Sequence, residues 1–212
     1  MPELDHLAIV APTLHEGVAH VKACLGLVMP EGGRHREMGT RNHLLRLGDR
    51  TFLEVIAVDP DAPEPGRARW FGLDDAGRVR ADWESGRRLR GWVARTGDLD
   101  GALLRHPDLF GEAIRVTRGE LAWRFAVRPD GSWPEDGAVP CLMDWGQRAH
   151  PAAAMPDLGA RLCAFTVEHP EPERITAIYT AIGLADPPAV LGGPASRYRA
   201  EIDTPTGMRT LF

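Results

Sequence analysis

An internal repeat constrains the fold of this chain more than any other feature. A strand-like segment over residues 4–10 runs into a predicted helix that ends at Gly26, and residues 161–167 lead in the same way to Gly183. The two glycines keep the same spacing from their strands, and a weaker third copy begins at residues 89–96. A repeated supersecondary unit is itself evidence of fold, because one such unit cannot cover its own apolar face.

The first helix carries recognisable start and stop signals. Thr13 and Glu16 have the spacing of a capping box. Val21 and Leu25 belong to one apolar stripe, and Gly26 is a residue type that commonly ends a helix. The sequence therefore predicts a helix between Thr13 and Gly26, with one face packed against a sheet.

Short strand-like runs follow each predicted helix and complete the units. These runs are 34–38, 42–47 and 51–58 in the first unit, 112–117, 121–127 and 138–144 in the second, and 197–202 and 208–212 in the third, with a further short strand near Val190. Each unit reads β-α-β-β-β, the third in compressed form. We predict an α+β fold in which βαβββ modules form curled mixed or antiparallel sheets around a cleft, with the helices outside.

The same patterns divide the chain into four parts. Module 1 covers residues 1–58, and a Pro-rich connector or lid loop follows over residues 59–88. Module 2 covers residues 89–151, and a degenerate C-terminal module covers residues 159–212. Because three copies permit more than one arrangement, the sequence leaves open which modules pair across the cleft.

Composition excludes several classes of function. The net charge is −5 and no basic run occurs, so the sequence lacks the clustered positive charge that is typical of nucleic-acid binding. No apolar stretch approaches the roughly 20 residues of a membrane span, and no signal peptide is recognised. Three cysteines, far apart and odd in number, are typical of reduced thiols in a cytoplasmic protein. Phosphate-binding glycine loops and nucleophile elbows are absent.

Two ionisable side chains interrupt strands that otherwise read as buried. His6 and Glu54 are each flanked by apolar residues, where a charge costs free energy unless something compensates for it. Strand alternation places His6 on one face and Asp5 on the other, while Glu54 shares a face with Phe52. The compensation is either a bound divalent cation or a direct His–Glu hydrogen bond, and the sequence leaves this choice open.

With His in the first strand and Glu in the fourth, the tandem units resemble the vicinal oxygen chelate superfamily, and more narrowly its glyoxalase-like branch of bacterial proteins. The segments that carry the resemblance are 4–7, 39–48, 52–59, 70–73, 97–100 and 142–146 followed by His150-Pro151. The resemblance implies paired modules around a divalent metal that chelates two neighbouring oxygens of a ligand. Isomerases, dioxygenases, epimerases, lyases and metal-free binding proteins share this fold, so the fold alone does not select a reaction.

The chain departs from the metal pattern that the resemblance implies. Gly91 stands where the second module should supply a histidine, and Asp144 stands where it should supply a glutamate. The predicted metal ligands are therefore His6, Glu54 and Asp144, with His43 or His150 as completions. Such a set suits Zn, Mn, Fe or Ni. The alternative is a chain without a metal, in which His6 bonds to Glu54 or to the backbone.

The remaining candidates line the same predicted cleft. His43 and Glu54 are the catalytic candidates. Six residues are candidates for substrate binding: Arg41, Asn42, Trp92, Trp123, Arg124 and Trp145. For each of them the alternative is a structural role, such as an ion pair between Arg124 and Asp144 or a tryptophan that fills the core.

Two functions remain open at this stage. The first is a metal-dependent enzyme that acts on a small oxygenated metabolite, of the isomerase, lyase or dioxygenase class. The second is a metal-free protein that binds a small molecule in the same cleft. In both cases the expected partner is a small molecule, with neither nucleic acid nor membrane, and a homodimer is left open.

Overall fold

Three successive βαβββ units make up the chain in a computed structural model that describes all 212 residues. The first unit comprises β1 (Glu3–Val10), α1 (Leu14–Leu25), β2 (Glu31–His35), β3 (Thr40–Arg46) and β4 (Phe52–Val58). A connector with helix α2 (Ala76–Glu84) leads to the second unit, which comprises β5 (Leu89–Arg95), α3 (Leu99–Arg105), α4 (Pro107–Phe110), β6 (Glu112–Arg118), β7 (Leu121–Val127) and β8 (Cys141–Asp144). The third unit comprises β9 (Arg161–His169), α5 (Pro172–Ala181), β10 (Ala189–Gly192), β11 (Arg197–Thr204) and β12 (Gly207–Leu211).

The first two units share one eight-stranded sheet in the order β2-β3-β4-β1-β5-β8-β7-β6. Strands β1 and β4 are parallel, as are β5 and β8, while β1 and β5 join the two halves in antiparallel fashion. The sheet curls until its two edges meet, because Thr117 on β6 donates through its backbone N–H and its hydroxyl to Glu37, which follows β2. The predicted α+β fold with a curled mixed sheet around a cleft is confirmed.

Side-chain alternation along the strands separates two apolar cores. Leu7 and Ile9 of β1 point to the convex side of the sheet, where helix α1 packs. Ala8 and Val10 point to the concave side and contact a second, smaller core. The concave side is the one that carries His6 and Glu54.

The third unit covers the convex side of the large sheet. Its own four-stranded sheet has the order β10-β9-β11-β12. Trp92 of β5 packs against Phe165 and Tyr179 of this unit, with ring centroids 5.7 and 5.8 Å apart. The backbone N–H of Leu89 also donates to the carbonyl of Phe212 at 3.2 Å. The cleft is therefore built by the first two units and the segments that follow them, without residues of the third.

The local signals of helix α1 are confirmed. The Thr13 hydroxyl accepts from the backbone N–H of Glu16 at 3.2 Å, and Gly26 has a φ of 72° in the left-handed region. The strand predicted over residues 34–38 is wrong in its bounds, since β2 ends at His35 and a 3₁₀ turn occupies the next three residues. The turn ends at Gly39, whose φ of 56° suits glycine and reverses the chain.

The connector between the first two units is more ordered than the sequence predicts. It contains a short 3₁₀ turn over Trp70–Gly72 and helix α2, whose N-cap Asp75 accepts from the backbone N–H of Arg78 at 2.8 Å. Trp70 and Phe71 are buried against the concave core. None of the helices in the structure is long and apolar enough to cross a membrane.

Helix α1 approaches β4 so closely that position 17 requires glycine. A Cβ atom at Gly17 would lie 2.3 Å from Val55 Cγ1 and 2.9 Å from Ala11 Cβ. We expect Gly17→Ala to lower the free energy of unfolding by about 1–3 kcal/mol, because overpacking outweighs the better helix propensity of alanine. Chemical denaturation measures the change.

The matched control is Gly77→Ala in helix α2, where the nearest atom to the new Cβ would be 3.5 Å away. We expect this variant to be neutral or slightly stabilising. A Gly17→Ala variant as stable as the Gly77→Ala variant would contradict the close packing of α1 on β4.

Candidate functional site

The curled sheet surrounds a narrow cleft that is partly open to solvent, and the space inside the cleft together with the solvent at its mouth is about 420 Å³. Its polar wall comes from the first unit and its other wall is mostly aromatic. The polar and charged lining residues are His6, His35, Asn42, Glu54 and Arg118. The apolar lining residues are Leu44, Phe52, Trp70, Phe71, Trp123, Phe125, Met143, Trp145, Pro151 and Met155.

A β-bulge in β1 sets the position of Asp5 beside His6. Leu4 pairs with Ala94 and His6 with Val93, so Asp5 is the extra residue on its strand. The bulge interrupts the alternation that would turn Asp5 away, and its Oδ1 lies 2.7 Å from Nδ1 of His6. The sequence prediction that Asp5 belongs to the opposite face does not account for this contact.

Asp5 is completely buried, and three side chains donate to its carboxylate. Besides His6, these are Trp145 through Nε1 at 2.8 Å and His150 through Nε2 at 2.9 Å. The Nδ1 atom of His150 accepts from the backbone N–H of Ala152, which leaves the ring proton on Nε2. Burial alone would raise the pKa of Asp5, but the hydrogen bonds from His150 and His6 hold it well below its usual range.

His6 lies between two carboxylates. Its Nε2 atom is 3.5 Å from Oε2 of Glu54, and its ring stacks on Phe52 with centroids 4.5 Å apart. Burial alone would lower the pKa of His6, but the hydrogen bonds and charges of Asp5 and Glu54 raise it to about 9. Burial alone would raise the pKa of Glu54, but the hydrogen bond and charge of His6 keep it below its usual range. The group is an imidazolium held by two carboxylates.

Asn42 supports Glu54 from the neighbouring strand. Its Nδ2 atom donates to Oε1 of Glu54 at 2.5 Å, while its Oδ1 accepts from the backbone N–H of Gly33 at 2.9 Å. His35 lies beside this amide and bonds to the hydroxyl of Thr40 at 3.0 Å. Burial lowers the pKa of His35 to about 4, so this histidine is neutral at pH 7.

The second unit contributes one charge and a wall of apolar groups. The guanidinium of Arg118 lies 5.9 Å from the ring of Trp123, and its Nη1 donates to Oδ1 of Asn42 at 3.3 Å. Phe125 and Met143 continue the wall, and Trp70 contacts Phe125 with ring centroids 5.2 Å apart.

The residues of the cleft do not fit a chelated divalent metal. No group of three or more His, Cys, Asp and Glu side chains in the chain is arranged to hold one. Of the lining residues only His6, His35 and Glu54 are potential ligands, and the facing positions are apolar. At Gly91, the position of the missing histidine, the ring of Trp133 fills the space, and a Cβ there would lie 2.8 Å from it.

The structure brings five of the predicted site residues into the cleft and leaves five outside. Those that line it are His6, Asn42, Glu54, Trp123 and Trp145. Those that do not are Arg41, His43, Trp92, Arg124 and Asp144. On β8 the residue that faces the cleft is Met143, not its neighbour Asp144. The Asp144 carboxylate instead accepts a hydrogen bond from the backbone N–H of Gly146 at 2.7 Å.

The other four outlying residues have structural partners. His43 bonds to the carbonyl of Met29 at 3.1 Å, and Arg41 lies 4.0 Å from Asp59. Arg124 donates to Asp100 near the surface at 2.8 Å. Trp92 is buried on the convex side and donates to the carbonyl of Ala138 at 3.3 Å. On β3, Asn42 and Leu44 line the cleft, so Arg41 and His43 alternate away from it.

The sequence candidates left out several apolar lining residues and four residues that define the chemistry of the site. These four are Asp5, His35, Trp70 and Arg118. The local signals were the adjacency of Asp5 to His6 and the place of Trp70 in a segment that carries the family resemblance. His35, Trp70 and Arg118 reach the cleft through the curling of the sheet and the path of the connector, which no sequence period reveals.

Comparison with known families agrees with this geometry. The family model for the glyoxalase-like domain matches residues 4–183, which is more than half of the chain. The chain belongs to the glyoxalase-like domain family. This family is part of the vicinal oxygen chelate superfamily, and the match extends past the second unit into helix α5 of the third. No curated protein matches the sequence of this glyoxalase-like protein.

The solved structures that resemble this chain are distant from it in sequence. A hypothetical protein from Staphylococcus aureus is 11% identical, with a TM-score of 0.61 over 93% of this chain and 88% of that one. Methylmalonyl-CoA epimerase from Mycobacterium tuberculosis is 18% identical, with a TM-score of 0.41 over 71% of this chain and 91% of that one. A Streptomyces coelicolor methylmalonyl-CoA epimerase variant in complex with 2-nitronate-propionyl-CoA is 19% identical, with a TM-score of 0.40 over 68% and 97%.

The raised pKa of His6 predicts a pH dependence of stability. Because folding raises this pKa from 6.5 to about 9, the stabilisation is fully present below pH 6.5 and is lost as the pH rises through 9. We expect the free energy of unfolding to fall across this window by on the order of 3 kcal/mol more in the wild type than in His6→Gln. Denaturant titrations at a series of pH values measure the difference.

The control variant is His15→Gln, since His15 is exposed on helix α1. It should keep the pH dependence of the wild type. Should His6→Gln fail to fold, NMR titration of the wild-type imidazole gives the same answer. A His6 ring that loses its proton near pH 6.5 would contradict the ion-pair arrangement.

Proposed function

We propose that this glyoxalase-like protein binds a small molecule in its cleft without a divalent metal. The observation that carries the proposal is the charge balance of the polar wall. Glu54 lies 3.5 Å from the protonated His6 and accepts a hydrogen bond from Asn42, and Asp5 has further donors of its own, so the wall holds both carboxylates without an added cation. The opposite wall offers aromatic and aliphatic groups rather than ligands for a metal.

The shape and chemistry of the cleft support a small ligand with an apolar body. Binding pockets for small molecules are mostly apolar with a few convergent polar groups, and this cleft has that composition. The rings of Trp123 and Trp145 are packed 5.2 Å apart between centroids, so the free space is narrow. A cytoplasmic location and a homodimer stay predictions from the sequence.

The metal-free proposal is tested by metal analysis and thermal unfolding. Protein purified without chelators is expected to hold less than about 0.1 equivalent of Zn, Mn, Fe or Ni. Added metal should change the unfolding temperature of the wild type no more than that of His6→Ala, because a ligand that binds only the folded state would raise it.

The control for nonspecific binding is His15→Ala, which removes an exposed histidine of helix α1 that does not line the cleft. Stoichiometric metal that is lost in His6→Ala and kept in His15→Ala would contradict the proposal. That result would instead support the metal-dependent enzyme that the resemblance to the superfamily implies.

A second candidate function is proton transfer without a metal. It is favoured by the contact of the Glu54 carboxylate with the protonated His6 inside the cleft. Paired groups whose surroundings move their pKa values in opposite directions are typical of acid–base sites. In such a reaction Glu54 would take a proton from a carbon next to a carbonyl group. The same carboxyl would then return a proton to that carbon.

This second function predicts deuterium exchange at the carbon next to a carbonyl. With 2-oxobutyrate in D₂O, we expect the protein to accelerate loss of the C3 proton signal in NMR spectra, and Glu54→Gln to reduce the acceleration by 100-fold or more, within the range of general-base catalysis at about 10²–10⁴. Glu31→Gln, at an exposed position on β2, is the control. An acceleration that survives Glu54→Gln would rule out Glu54 as the base.

A further inference from the structure

We propose that Arg118 binds the anionic group of the ligand, so that the cleft takes small carboxylates with a flat apolar body. The inference rests on the proposed ligand-binding function of the cleft and names the class of ligand. Nothing in the sequence patterns pointed to Arg118, which reaches the cleft from the far edge of the curled sheet.

The charges of the cleft single out this arginine. Three charged side chains line it, namely His6, Glu54 and Arg118. His6 and Glu54 compensate one another, and Asp5 compensates His6 as well. Arg118 has no carboxylate within 4.0 Å, although it is half-buried against Trp123. A half-buried cation that faces a cleft without a partner is a natural site for an anion.

Neighbouring groups hold the guanidinium of Arg118 in place. The missing side chain at Gly33 makes room for it, because a Cβ there would lie 2.6 Å from Arg118 Cδ. Its Nη1 donates to Oδ1 of Asn42, and the face of Trp123 lies beneath it. Nη2 and Nε donate to no protein acceptor. These groups leave a fork of N–H donors that matches the two oxygens of a carboxylate.

The rest of the cleft orients such a ligand. The amide of Asn42 stands between Arg118 and Glu54, bonding to the first through Oδ1 and to the second through Nδ2. The negative charge of Glu54 therefore disfavours a carboxylate at its own end of the cleft and favours one at the Arg118 end. Trp70 and Trp123 then offer flat surfaces on which an aromatic or planar body can stack.

The test compares two probes of the same shape, benzoate and benzamide. Titration of the full-length protein, followed by tryptophan fluorescence and calorimetry, is expected to give a benzoate Kd at least about 10-fold lower than that of benzamide, as a charge-assisted fork to arginine implies. In Arg118→Gln the benzoate Kd should rise about 10-fold, while the benzamide Kd stays unchanged.

The matched control is Arg115→Gln. Arg115 lies on the same strand as Arg118, is exposed, and alternates to the opposite face. Arg115→Gln changes the net charge by the same amount as Arg118→Gln but removes no side chain from the cleft. If Arg118 acts by direct contact, Arg115→Gln should therefore keep the preference for benzoate. Unfolding temperatures of both variants report whether the fold is retained.

The possible results separate the inference from the function on which it rests. Equal binding of the two probes to the wild type, or a preference that survives Arg118→Gln, would overturn the role of Arg118 and leave a ligand-binding cleft. A preference lost equally in Arg115→Gln would reduce the effect to long-range charge and also overturn it. Binding of neither probe to the wild type would contradict the proposed cleft function and the inference together.

Discussion

The imidazolium of His6 between the carboxylates of Asp5 and Glu54 is the interaction on which the cleft depends. Each of these buried charges would cost several kcal/mol alone, and together they compensate one another. The excess negative charge is shared by further groups: Trp145 and His150 donate to Asp5, Arg95 lies 3.8 Å from it, and Asn42 donates to Glu54. The polar wall is thus a closed network, and loss of any one member would leave a buried polar group short of a hydrogen-bond partner.

The two halves of the large sheet are related in topology but differ in chemistry. The parallel pair β1 and β4 carries the charged groups, whereas the corresponding pair β5 and β8 presents Val93, Cys141 and Met143 to the concave core. A tryptophan ring occupies the space next to Gly91. The first unit presents mainly polar groups to the cleft and the second unit presents mainly apolar ones, so a polar wall lies opposite an aromatic wall. In a family with this fold, the side chains and not the architecture decide the chemistry.

Repeats and alternation predicted the modules, the caps of helix α1 and the shared face of His6 and Glu54. These features depend on residues that are close in the sequence, and the periodicity of their apolar residues can be read without knowing how the chain packs. Asp144 is a case in which this reasoning fails. Neighbouring residues of a strand face opposite sides, so an error of one position along β8 was enough to predict Asp144 in the cleft instead of Met143. Asp5 is the reverse case, since a bulge in the pairing of β1 with β5 brings it to His6. Arg118 depends on the closure of the sheet, a contact between edges distant in sequence.

The position of the third unit explains how the cleft stays accessible. Helix α1 spans 12 residues on the convex side of the first unit, whereas the second unit has two shorter helices, α3 of 7 residues and α4 of 4, which leave Trp92 on this side to be covered by another element. The third unit supplies the missing cover, since Phe165 and Tyr179 pack on Trp92, and Tyr179 donates to the same Ala138 carbonyl as Trp92 does. With the convex side closed in this way, the concave side holds only the connector residues around Trp70 and Phe71 and the cleft beside them. The third repeat therefore acts on the site only by supporting the sheet that forms it.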